Sequence, residues 1–196
     1  MNDTLAPARA GDAFARIVSI VLHPFAVFAA LAMIATIVLA PTAWPRTLVG
    51  MTVVIAVVWG FIWQRRRSGR WGTVDASHPR ERPALYAVVL LLLAGYWWWT
   101  RGSVAPLAQG VLAVVAMLCV AALLNRWIKL SLHMASLAYA GVTLLSLYVP
   151  AAVVALGMLP LLAWARLRMR RHTPGEVLAG CALGVAAAVA LRLLAR

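Results

Sequence analysis

Three short segments of this sequence carry most of the side chains able to move protons or bind an anion. The first is Asp75-Ala-Ser-His78-Pro-Arg80-Glu81-Arg82-Pro83. The second runs from Asn125 through Arg126, Lys129 and Ser131 to His133. The third runs from Arg166 through Arg168, Arg170, Arg171 and His172 to Glu176. In the third, Thr173-Pro174-Gly175-Glu176 has the form of a capping box with proline at the first helical position. His172 therefore stands just ahead of a helix N-terminus, where unpaired N–H groups and the helix dipole favour an anion. Ser131 is likewise placed to cap a helix, with Lys129 just before it and His133 in its first turn. Two cationic helix starts, each bearing a histidine, make a cradle for phosphate if they meet on one face.

The elements that must hold these segments are apolar. Hydrophobic residues make up 64% of the 196, and mean hydropathy is +0.90, against roughly 45–50% apolar residues in soluble domains. Seven apolar runs, near 17–40, 47–63, 84–99, 104–124, 130–149, 151–165 and 176–194, approach the ~20 residues that cross a bilayer. The fold class expected is an all-α, polytopic transmembrane bundle of six to seven helices. Residues 1–16 form an N-terminal segment on the active-site face, and 17–196 form one transmembrane domain. The first run is too long for a signal-peptide core and is read as an uncleaved helix.

With seven spans the polar segments alternate sides. Fourteen of the eighteen Lys and Arg residues, all five acidic residues and His78, His133 and His172 then fall on one face. The positive-inside rule makes that face cytoplasmic, in a membrane of the bacterial inner type. Two spans separate the first segment from the second, and two separate the second from the third, so all three return to the same side. Tyr96-Trp97-Trp98-Trp99 suits an aromatic belt at the other interface. A net charge of +13 distributed between apolar runs points to anionic lipids and a phosphorylated ligand. The lack of a soluble domain argues against nucleic acid. Cys119 and Cys181 have no metal-ligand spacing, and no H-E-x-x-H pair occurs.

The third segment resembles the last signature of the type 2 phosphatidic acid phosphatase superfamily, which includes vanadium haloperoxidases. That signature reads S-R-x5-H-x3-D. Arg166, His172 and Glu176 fall at its spacings, with Ala165 for serine and glutamate for aspartate. Leu130-Ser131-Leu132-His133 is similar to the middle signature, P-S-G-H, in its serine and histidine. Arg82-Pro83 matches the end of the first, K-x6-R-P, but Asp75 occupies the lysine position, and Lys129 is placed to supply the missing cation. The resemblance implies His172 as nucleophile forming a phosphohistidine, Glu176 orienting it, and His133 as general acid and base. It also implies Lys129, Ser131, Arg166 and Arg82 on the phosphate oxygens, with no metal and no cofactor.

The function expected is a membrane lipid phosphatase acting on a phosphate monoester or diphosphate of polyprenyl or phosphatidate type. The alternatives are a lipid phosphotransferase and a non-catalytic binder or transporter of anionic lipids. Glu176 has two competing uses, as a capping residue and as the partner of His172. Asp75, His78, Arg80 and Glu81 read either as a local salt-bridge network or, through Asp75, as an orienting group for Arg82. His23-Pro24 reads as a helix start, and Arg168, Arg170 and Arg171 as topology determinants and headgroup contacts.

Overall fold

The computed structural model describes residues 10–69, 71, 82–102 and 104–194. Among these the chain is helical, with no strand: α1 (Ala10–Val21), α2 (Pro24–Leu39), a 3-10 turn (Pro41–Ala43), α3 (Trp44–Arg67), α4 (Arg82–Thr100), α5 (Ala105–Leu124), α6 (Leu132–Leu144), α7 (Val149–Gly157), α8 (Leu159–Arg168) and α9 (Pro174–Leu194). Prolines set many of the boundaries. Pro24, Pro45, Pro106, Pro150, Pro160 and Pro174 each lie in the first turn of a helix, where the missing N–H costs nothing and φ is already helical.

Among the described residues five helical stretches are long and apolar enough to cross a bilayer: Pro41–Arg67, Pro83–Thr100, Ala105–Leu124, Val149–Arg168 and Pro174–Leu194. The pair α1 and α2 makes a sixth, bent by 42° at its break. Outward-facing side chains on these helices are themselves apolar: Leu91 is 73% exposed and Leu178 69%. Exposed apolar surface on this scale needs lipid around it, and the protein is read as an integral membrane protein.

Two of the seven expected runs differ in form. The first is interrupted, because Pro24 cannot donate to the carbonyl one turn back and the chain restarts its helix there. The run at 130–149 contains only the 13 residues of α6, about 20 Å of helix against about 30 Å of hydrocarbon. Residues 145–148 then form a turn ahead of Pro150.

Short as it is, α6 is the centre of the bundle. Ten of its 13 residues are buried, and α9, α7, α2 and α8 surround it. Its closest neighbour is α9, and the reason is a small-residue seam. A Cβ placed at Gly180 would collide with the Ser131 carbonyl oxygen, and one at Gly184 with that of Ala135. Glycines four residues apart let two backbones touch, as membrane helices commonly do. This seam holds the start of α6 in register with the start of α9, which carry two of the three chemistry-bearing segments.

Candidate active site

His172 lies in the turn between α8 and α9, and both helix ends are closed tightly around it. The Arg171 N–H reaches back to the Arg166 carbonyl at 3.1 Å and the Arg170 N–H to that of Leu167 at 2.9 Å. Arg170 has φ of 52°. This is a Schellman ending, with arginine where glycine is usual. Two residues on, the capping box is formed: the Glu176 N–H donates to Thr173 Oγ1 at 3.3 Å and the Thr173 N–H to Glu176 Oε2 at 3.0 Å. That same Oε2 stands 3.1 Å from His172 Nδ1. The two uses of Glu176 set against each other by the sequence are thus served by one oxygen.

His172 Nδ1 has a second partner, the Lys129 carbonyl oxygen, also at 3.1 Å. Both partners only accept, so Nδ1 carries the proton and Nε2 is left with its lone pair. Lys129 answers across the junction: its Nζ donates to the Arg171 carbonyl at 3.0 Å. The α5–α6 loop is pinned by Asn125, whose Oδ1 accepts from the Leu130 N–H at 3.0 Å and whose Nδ2 donates to the Tyr86 hydroxyl at 2.7 Å. Burial first, then the Arg166 guanidinium and the Lys129 ammonium, push His172 down to about 4, against the upward pull of Glu176. Its imidazole is therefore neutral at neutral pH.

Arg166, in the last turn of α8, is 7% exposed and donates through an Nη to Ser19 Oγ at 2.7 Å, a bond across 147 residues of sequence. Such a long cationic side chain is rarely buried without a polar partner. α1 reaches α8 at two further points, an Asp12–Arg168 ion pair of 3.0 Å and a Phe14–Trp164 ring contact of 5.8 Å. His133, buried in the first turn of α6, has the Ser19 carbonyl beside it and Arg166, His23 and His172 around it.

One cavity of about 550 Å³ collects these groups, with Lys129, His133, Arg166, Arg171, His172 and His23 in its wall. Away from them the lining is mostly apolar, contributed by α2, α3, α4, α5 and α6, as far as Thr143, Ser146 and Arg192. The arrangement offers a cationic, histidine-lined head and a long apolar body.

Four of the predicted site residues, His172, His133, Lys129 and Arg166, thus line one cavity, and Glu176 stands behind His172. Ser131 is the N-cap residue of α6 by backbone position, yet its hydroxyl makes no capping bond. That hydroxyl is buried without a hydrogen-bond partner, and Ser131 is not in the cavity wall. The Ser131 N–H instead meets the Glu176 carbonyl at 3.3 Å. Asp75, with His78, Arg80 and Glu81, lies outside the described residues, and Arg82 is described only as the first backbone position of α4. Three cavity or support residues were not foreseen: His23, Ser19, and Arg171 as a wall residue. The break signalled by His23-Pro24 inside a long apolar run was the available clue to the first. Among the described residues no group of three His, Cys, Asp or Glu side chains is placed to hold a metal ion. In comparison with known proteins, the chain matches no family model, no curated protein and no solved structure.

Proposed function

We propose that this protein is a lipid phosphatase that cleaves a phosphate monoester or diphosphate through a phosphohistidine at His172. The observation that carries the proposal is the pair of acceptors on His172 Nδ1, which leaves Nε2 unprotonated beside Arg166, Lys129 and His133. Nε2 attacks phosphorus, the P–O bond to the lipid breaks, and His133, having taken up the proton of the arriving monoanionic headgroup, passes it to the departing oxygen. Water then attacks the phosphohistidine, leaves its proton on His133, and releases inorganic phosphate with His172 restored. Glu176 and the Lys129 carbonyl hold the ring and balance the positive charge it gains. Arg166 and Lys129 stabilise the non-bridging oxygens. The apolar body of the cavity gives the lipid chain a place to lie while its headgroup reacts, for either a polyprenyl or a phosphatidate type of substrate.

The test is phosphate release from phosphatidate, diacylglycerol diphosphate and short polyprenyl phosphates by the detergent-solubilised chain. His172→Ala should lower release by about 1000-fold or more with an unchanged melting profile, and 32P should be trapped on the native chain alone. No release from any of these lipids sinks the proposal. The extension of the cavity to Thr143, Ser146 and Arg192 favours a second reading, a binder or carrier of anionic lipids, and that result would select it. Transfer to an acceptor other than water is a variant of the same chemistry.

The site face is proposed to be cytoplasmic in a bacterial-type inner membrane, since Arg65, Arg66 and Arg67 end α3 on the site side. A cysteine at Ser68, in a background lacking Cys119 and Cys181, should resist an impermeant thiol reagent added outside. Labelling from outside reverses the orientation.

A further inference from the structure

His23 matches none of the three signature segments, and the phosphoryl transfer above gives it no task. Its position is nonetheless specific. Pro24 opens α2 without an N–H, and the next amide, that of Phe25, points at His23 Nδ1 at 3.4 Å. A ring nitrogen that accepts carries no proton, so neutral His23 has its proton on Nε2, the edge turned away from the capped amide. The ring stands edge-on to His133, with centroids 5.2 Å apart and planes at 86°. It shares the cavity wall with His133 from α6, Arg166 from α8, His172 from the α8–α9 turn, and Lys129 from the α5–α6 loop.

A phosphoryl group in such a cavity presents three non-bridging oxygens, each able to accept more than one hydrogen bond, beside Arg166, Lys129 and Arg171. Another cation there would repel Arg166 and Lys129 whenever the site was empty. A neutral donor adds a hydrogen bond to an anion without that repulsion. The start of α2, directed at the same space, adds the positive end of a helix dipole.

We propose that His23 is a phosphate-binding residue, its Nε2–H donating to a non-bridging oxygen from the α2 side; this rests on reading the cavity as a phosphate site. The rival role is a helix cap alone. Two isosteres separate them, because asparagine reproduces the Nδ1 acceptor and glutamine reaches the place of the Nε2 donor.

The full-length chain in detergent is titrated with inorganic phosphate, and the same samples are assayed for release from a short-chain lipid phosphate. His23→Gln should bind phosphate within about threefold of the native chain, and His23→Asn should lose about tenfold, the worth of one hydrogen bond to a charged group. Thermal stability should follow the opposite order, with His23→Asn the closer to native. Native-like phosphate binding by His23→Asn overturns the proposal, as does equal loss in both variants or no phosphate binding by the native chain. The phosphatase reading fails separately. A chain that binds phosphate through His23 but releases none keeps this inference and loses the hydrolase. Release that depends on His172 but ignores His23→Asn does the reverse.

Discussion

Arginines gather at both ends of the bundle, and they are held in opposite ways. At the end away from the site, Arg101 lies 3.5 Å from the centroid of Trp98, and Arg46 sits 4.4 Å over Trp99 while donating to its carbonyl at 2.7 Å. Both arginines are exposed. At the site end, Arg166 is buried, tied to Ser19 and turned into a cavity with three histidines. The first arrangement is what an interface needs, a charge kept wet with its stem on an aromatic face. The second withdraws a charge from water, which is favourable only if an anion or strong hydrogen bonds replace the hydration. Counting positive charges per face treats both ends alike; burial separates a membrane anchor from a ligand group.

Matched substitutions at the two ends sharpen this contrast. Arg166→Gln should lower kcat/KM for phosphate release by about 100-fold, the usual effect of removing one charge-stabilising donor. Arg101→Gln should change it by less than about twofold. Equal effects on purified, folded samples would erase the distinction.

Next in size is the glycine seam. Gly184→Ala drives a methyl into the Ala135 backbone and should cost about 1–3 kcal/mol, read as a lower melting temperature in detergent. Gly95→Ala in α4 meets nothing within 4 Å and should be neutral or stabilising by up to about 1 kcal/mol.

A third contrast is in pH. His172 is held at about 4 from an ordinary 6.5, so the fold favours its neutral form. That contribution to stability is complete above about 6.5 and fades as pH falls toward 4. The acid limb of kcat/KM assigned to His172 should accordingly lie near 4, and Lys129→Met, which removes a neighbouring positive charge, should move it upward. An acid limb at 6.5 in the native chain, unmoved by the substitution, would contradict the geometry. The smallest effect is expected at Arg170, whose left-handed backbone costs a non-glycine residue about 1 kcal/mol. Arg170→Gly should raise stability by that amount, measured in denaturant, and leave turnover unchanged.

The apolar runs were legible because hydropathy over 20 residues reports lipid exposure almost directly. The spacing Arg166, His172, Glu176 was legible because it lies within one turn and its flanking helix ends. Ser131 was legible as a helix start but its facing was not, since spacing fixes the cap and leaves the rotation of α6 about its axis open. The seam with Gly180 sets that rotation and turns Ser131 toward α9. His23 stayed hidden for a related reason. A bend of 42° inside one apolar run carries a residue from the helix wall to the cavity, and no local pattern encodes its direction. Ser19 and Arg166 pair over too great a separation for any motif to join them.

The turn that presents His172 has no slack. Arg170 and Arg171 complete one helix ending, Thr173 opens the next helix start, and His172 alone stands between them with its ring held by Glu176. Most surface connections absorb a gained or lost residue with little harm. Here a single insertion or deletion would undo two terminations at once and swing the imidazole out of register, so this stretch should keep a fixed length wherever the chemistry is kept.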